Sequence, residues 1–142
     1  MNNDYIISTD KSRLDLTVIH QFLSQESYWA KNIPIVLVQK SIDNSLCFGV
    51  YLNKAQVGFA RIITDYTTFA YLADVFILNE HRGRGLSKRL IQVITEHPDL
   101  QGLRRWVLVT QDAHTLYEPF GFTALDHSER YMQRTLFTGY SC

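Results

Sequence analysis

The stretch 71-YLADVFILNEHRGRGLSKRLIQ-92 runs from an apolar segment through a glycine-rich turn into a helical pattern. Phe69 to Leu78 is almost continuously apolar, as expected of a central strand covered on both faces. Leu86, Leu90, Ile91, Val93 and Ile94 follow helical spacing, and Pro98 cannot continue that helix. Between the two lie Gly83, Gly85 and the cations Arg82, Arg84, Lys88 and Arg89. A strand that enters a helix through such a turn gathers unpaired N–H groups and the positive end of the helix dipole at one point. That point favours anions. The glycines let backbone approach a ligand closely, and the cations can pair with phosphate oxygens, so a diphosphate fits better than a base or a sugar. The plainer reading is a solvated basic turn.

Three motifs of this general kind are excluded by spelling. A Walker loop needs GxxxxGK[ST], which is absent. A dinucleotide fingerprint needs a third glycine where Lys88 stands. An arginine-glycine RNA segment would be repeated and disordered, whereas this one occurs once inside a periodic apolar context.

Working outward, "YIIS" (5–8) is a short strand, and Ser12 to Asp15 resembles a capping box before a helix bearing Leu14, Val18 and Phe22. "SYWAKNIP" interrupts, and a second short helix runs from Ile35 to about Asp43. "LCFGVYL" (46–52) and "QVGFARIIT" (56–64) are strands around a turn at Asn53-Lys54. Beyond the glycine loop, "RWVLVT" (105–110) is a further buried strand, and "DAHTLYEPF" begins a helix with Asp112 as its cap and Gly121 as its stop. "FTAL" and "RYMQRTL" are expected to close the sheet as a final antiparallel pair. The whole, residues 1–142, reads as one α/β domain: a mixed central sheet with helices on both faces.

Composition narrows the partners. Fourteen Lys and Arg balance fourteen Asp and Glu, so no global field draws in nucleic acid or an anionic membrane. Any anion site is local. Cys47 and Cys142 lie far apart without CxxC spacing, which argues against structural zinc, and no metal site is expected. "MNNDYIISTD" lacks the regions of a signal peptide and no apolar stretch reaches the ~20 residues of a membrane span, so a cytoplasmic protein is expected.

Two blocks, 71–92 and "RRWVLVTQDAHTLYEPFGF" (104–122), together resemble the GNAT superfamily of acyl-coenzyme A-dependent N-acyltransferases. The family loop, [QR]-x-x-G-x-[GA], is matched by Arg82 to Ser87 except at the last position, where Ser87 replaces a glycine or alanine. The resemblance implies the GNAT fold, its sheet splayed between two buried strands, and acetyl transfer from acetyl-CoA to a primary amine by direct attack in a ternary complex. It implies that backbone at Val75, Phe76 and Ile77 contacts the pantetheine arm and that Arg82, Gly83, Arg84, Gly85, Leu86, Ser87 and Lys88 hold the pyrophosphate. Tyr117 matches the tyrosine that many members use to protonate the departing thiolate; otherwise it is a core aromatic flanked by Leu116 and Phe120. Related enzymes are often dimers.

Amine acetylation also needs a base or a water relay, because a lysine-like amine has a pKa near ~10.4. Asp74, an acid inside an apolar strand, is the first candidate, since burial can raise its pKa. The alternative is a carboxylate satisfied by backbone N–H groups. His114 is the runner-up. Tyr28 and Trp29 can wall a small-molecule or peptide amine, with Asp65, Tyr66 and Tyr71 on the opposite rim, or they can simply fix the link between two helices. A domain that binds acyl-CoA without turnover, or a structural module with a vestigial loop, are the other classes.

Overall fold

The computed structural model describes residues 4–141. Its five-stranded sheet has the order β1-β2-β3-β4-β5. The strands are β1 (Tyr5–Ser8), β2 (Leu46–Leu52), β3 (Ala55–Thr64), β4 (Phe69–Ile77) and β5 (Arg105–Leu108). The first four are antiparallel neighbours, and β5 joins β4 in parallel through the crossover that carries the glycine loop.

Helices α1 (Leu16–Gln21) and α2 (Ile35–Asp43) precede β2, α3 (Leu86–Thr95) fills the crossover, and α4 (His114–Tyr117) follows β5. Side chains that alternate along the strands sort into two cores, one on each face. Phe48, Val50, Ala60 and Ile62 pack with Leu86, Leu90, Ile91 and Ile94 of α3. On the other face Cys47, Phe59 and Phe76 pack with Ile19, Phe22, Val38 and Ile42. The expected α/β architecture with helices on both faces is therefore observed.

Local signals differ in detail. Asp15 rather than Ser12 caps α1, its Oδ1 accepting from the Val18 N–H at 3.3 Å, while Asp10 caps a 3₁₀ turn at Lys11–Arg13. Two acidic caps in succession make one turn start before the helix does. Thr110, not Asp112, supports the start of α4, its Oγ1 accepting from the Ala113 N–H at 3.0 Å. α1 runs on into a π-helical turn at Phe22–Glu26, closed by the Ser27 N–H on the Phe22 carbonyl at 3.0 Å. That wider turn releases the chain into "SYWAKNIP".

The expected final strand pair is not part of the sheet. Among the described residues β5 is the last strand, and residues 131–141 carry no helix or strand. A strand sequence becomes a strand only when a neighbour accepts its hydrogen bonds, and among the described residues none does.

Candidate active site

The site begins where pairing between β4 and β5 ends. The strands run together from Phe69↔Arg105 to Leu72↔Leu108, but β4 continues to Ile77 while β5 stops. Past Leu72 they part. The opening is a cavity of about 440 Å³ between Tyr71–Val75 on one side and Leu108–Thr110 with Tyr117 on the other.

A bulge sets the β4 wall. Phe59 pairs with Phe76 and Arg61 with Ala73, so two steps along β3 match three along β4. The extra residue reverses the inside–outside parity of the strand. Leu72 lies in the α3-side core, Phe76 faces the other way and stacks on Phe22 at 4.0 Å, and Ile77 returns to the α3 side. Asp74 sits at the bulge with φ +54°, a left-handed conformation that Asp tolerates better than most residues.

Asp74 is partnered on both oxygens. Arg61 Nε donates to Oδ2 at 2.8 Å and Trp29 Nε1 donates to Oδ1 at 2.8 Å. Arg61 in turn donates from Nη1 to Ser45 Oγ at 3.1 Å. Asp74 is a paired carboxylate, held by two side chains rather than by the backbone N–H groups of the alternative. Arg61 went unnoticed in the sequence, although a lone arginine in "GFARIIT" facing a lone aspartate in "YLADVFIL" is the pattern of a half-buried ion pair.

Tyr117 closes the other wall. It is buried, its ring meets Phe122 edge-on at 5.9 Å, and burial, reinforced by the nearby Tyr28 hydroxyl, pushes its phenol up to about 12. The group stays protonated at neutral pH. Tyr28 and Trp29 pack edge to face at 5.0 Å over the mouth. The Tyr28 hydroxyl accepts from the Gln111 N–H at 3.0 Å, so the pair ties to both sides of the opening, Trp29 to Asp74 of β4 and Tyr28 to Gln111 just beyond β5. Tyr28, Trp29 and Tyr71 all line the opening. Asp65 and Tyr66 do not. Asp65 organises the β3–β4 turn by accepting from the N–H groups of Thr67, Thr68 and Phe69, bonds that hold its carboxyl well below the usual range. Tyr66 instead lies beside Pro98 and Gln101. His114 is exposed and lines a groove on the outer side of β5.

The glycine loop forms a second cleft of about 320 Å³, lined by Ile77, Arg82, Gly83, Gly85–Lys88 and Leu116. Gly83 and Gly85 adopt φ +77° and +75°, where a side chain is strained. Nothing lies within 4 Å of where a Cβ on Gly83 would stand. Gly85 caps α3 without a side-chain bond, and the first intrahelical donor is the Arg89 N–H on the Gly85 carbonyl at 3.1 Å. The N–H groups of Leu86, Ser87 and Lys88 are thus left for a ligand. Arg82 Nε donates to the Ile77 carbonyl at 2.9 Å, bracing the loop on the end of β4. Arg89 donates to the Tyr5 carbonyl at 2.7 Å and is turned toward β1 rather than into the cleft. Arg84 is exposed in the same loop, outside the cleft lining. Phe76 lines neither cleft; Val75 lines the opening and Ile77 the loop cleft.

A family model described as the acetyltransferase (GNAT) domain matches residues 43–124, which include every strand from β2 to β5, the loop cleft and all of the opening except Tyr28 and Trp29. The chain belongs to the GNAT acetyltransferase family. A GNAT-family protein of Xanthomonas campestris pv. campestris, solved as a crystal structure, is 55% identical and superimposes with a TM-score of 0.91 over 93% of each chain. An assigned acetyltransferase of Gibberella zeae is 35% identical over 136 aligned residues, 80% of this chain and 76% of that protein. A Clostridium acetobutylicum acetyltransferase, crystallised with acetyl-CoA, shares the fold with a TM-score of 0.67 at 14% identity, over 93% of this chain and 95% of that one. The GNAT fold expected from the two sequence blocks is the fold observed.

Proposed function

We propose that the protein is an N-acetyltransferase that moves the acetyl group of acetyl-CoA to a primary amine by direct attack in a ternary complex. The observation that carries the reading is the opening between β4 and β5, with a protonated phenol on one wall and a partnered carboxylate on the other. The loop cleft suits a diphosphate, since left-handed glycines, free N–H groups of the first α3 turn and the Lys88 and Arg82 side chains converge there. Bound acetyl-CoA would supply an activated thioester.

Each residue then has a task. Lys88, Ser87 and the loop backbone hold the pyrophosphate. Ile77 and Val75 offer backbone to the pantetheine arm, and an N–H in this parted strand polarises the carbonyl under attack. Tyr28, Trp29 and Tyr71 enclose a small or peptidyl amine. Asp74 accepts a hydrogen bond from that amine, orients it and takes the proton it loses on attack, directly or through a water; Arg61 and Trp29 fix the carboxylate for the purpose. Tyr117 donates to the departing sulfur. A covalent acyl-enzyme on Cys47 is disfavoured, because burial pushes that thiol up to about 11.

Excess acetyl-CoA is expected to raise the thermal midpoint. At about 100 times its dissociation constant it stabilises a fold by roughly 2.7 kcal/mol, a shift of several degrees at this size. No shift at saturating ligand would end the reading. Gly85→Val is expected to weaken acetyl-CoA binding by calorimetry and to cost about 1–2 kcal/mol of stability, because a branched side chain is forced into φ +75°. Unchanged affinity would remove the loop from the site. The engagement of both Asp74 oxygens favours one other reading, an acyl-CoA-binding regulator. Saturable binding with no free thiol released across a panel of primary amines would select it.

A further inference from the structure

Among the described residues, the charged side chains that line the β4–β5 opening are Arg61, Asp74 and Asp112. Arg61 is engaged, its Nε with Asp74 and its Nη1 with Ser45, so the first two charges cancel. Asp112 remains. The opening therefore carries a net negative charge within a chain whose formal charge is zero.

Asp112 stands across the opening from Asp74, just past β5, and its backbone is held from both directions. The Gln111 N–H before it donates to the Tyr28 hydroxyl and the Ala113 N–H after it donates to Thr110 Oγ1, each at 3.0 Å. An aspartate beside a helix start usually takes the capping bond itself. Thr110 takes it here, which leaves the Asp112 carboxylate exposed and, among the described residues, without a hydrogen bond or an ion pair. The rings of Tyr28, Trp29 and Tyr71 line the same space as the two carboxylates. Aromatic faces suit a methylene chain and attract an ammonium.

A simple monoamine uses one of these carboxylates and leaves the other unanswered. An acceptor with a carboxylate or phosphate beyond its amine meets Asp112 with like charge. We propose that the acceptor is a small aliphatic diamine, whose reacting nitrogen lies at Asp74 while the second nitrogen, still an ammonium, pairs with Asp112. This deepens the acetyltransferase reading and rests on it. The neutral amine at Asp74 attacks, the amide bond forms and the thioester C–S bond breaks. One amine proton passes to Asp74, sulfur leaves as the thiol with a proton from Tyr117, and the Asp74 proton restores Tyr117 through solvent. The distal ammonium keeps its charge throughout. The Tyr28–Trp29 pair, tied on both sides of the mouth, favours a slender chain over a peptide backbone.

Three acceptors with the same four-carbon chain isolate the far end of the substrate: 1,4-diaminobutane, n-butylamine and 4-aminobutyrate. Thiol release from acetyl-CoA is expected to give kcat/KM falling in that order, by about fivefold per step at low salt, the scale of one exposed charge pair. The gaps should narrow at high salt, which screens such charges. Asp112→Asn is expected to bring the three within about twofold of one another, and Asp112→Lys to place 4-aminobutyrate first. Both variants keep the fold, since the exposed side chain makes no bond within it. Diamines with shorter and longer chains then locate the best spacing. Equal use of the diamine and butylamine, or a diamine preference that survives Asp112→Lys, overturns the proposal and leaves the acetyltransferase reading standing. A basic peptide used better than every diamine does the same. Should no amine of the series release thiol, the proposal falls, and the thermal midpoint with acetyl-CoA shows how far: a shift keeps the coenzyme site, and no shift ends the acetyltransferase reading as well.

Discussion

Tyr117→Phe is expected to lower kcat by about 100-fold or more while leaving acetyl-CoA affinity unchanged, the usual scale for loss of a positioned acid. The phenyl ring keeps the packing against Phe122 and loses only the hydroxyl. Burial pushes that phenol up to about 12, so it is always loaded with its proton near neutrality. It is a weaker acid than a free thiol near ~8.5, so it acts chiefly by hydrogen bonding to sulfur as charge builds there. Thiol release gives kcat, and calorimetry gives affinity. A kcat within twofold of the parent would return Tyr117 to the core. Stability offers a second readout. A tyrosine whose folded pKa is raised binds its proton more tightly in the native state, so stability is complete below pH 10 and declines as pH rises from about 10 toward 12. The Phe variant should lack that share of the alkaline decline.

Asp74→Asn is expected to cost about 3 kcal/mol of stability as well as most of the activity. The side chains of Asp74 and Arg61 are only 10% and 16% exposed, so deleting one charge leaves the other partly desolvated and uncompensated. Asparagine adopts φ +54° as readily as aspartate, which separates the charge effect from backbone strain. Denaturant unfolding of Asp74→Asn, Arg61→Gln and the double variant measures the coupling. A double variant as stable as the better single one is the expected outcome, whereas strictly additive losses would show that the pair contributes little. Activity separates the roles further: Arg61→Gln should retain more turnover than Asp74→Asn, because it removes a positioning group rather than the one proposed to meet the amine.

The parts legible in the sequence are those encoded locally. A glycine at φ +75° beside cations needs no distant partner to be recognised, and the apolar run at Phe69–Leu78 announces a strand covered twice. The family resemblance rests on those same local blocks. What escaped depends on register or on a neighbour. Arg61 meets Asp74 only because a one-residue bulge shifts β4 against β3, and side-chain periodicity carries no mark of a bulge. The Asp10 and Asp15 caps outcompeted the box at Ser12 because two short turns occupy the place of one. "FTAL" and "RYMQRTL" have strand composition, but whether they pair is decided by what lies next to them.

The two ties of the "SYWAKNIP" loop, Trp29 to Asp74 and Tyr28 to the Gln111 N–H, make the width of the opening a property shared with a segment outside the sheet. An acceptor that spreads the strands must strain those ties, and an acceptor that fits between them tightens the loop. By thermodynamic reciprocity the loop then biases acceptor choice by the same free energy with which the acceptor biases the loop. Substitutions at Lys31 or Asn32, which do not line the opening, are therefore places where acceptor preference can drift without any change to the groups that perform the chemistry.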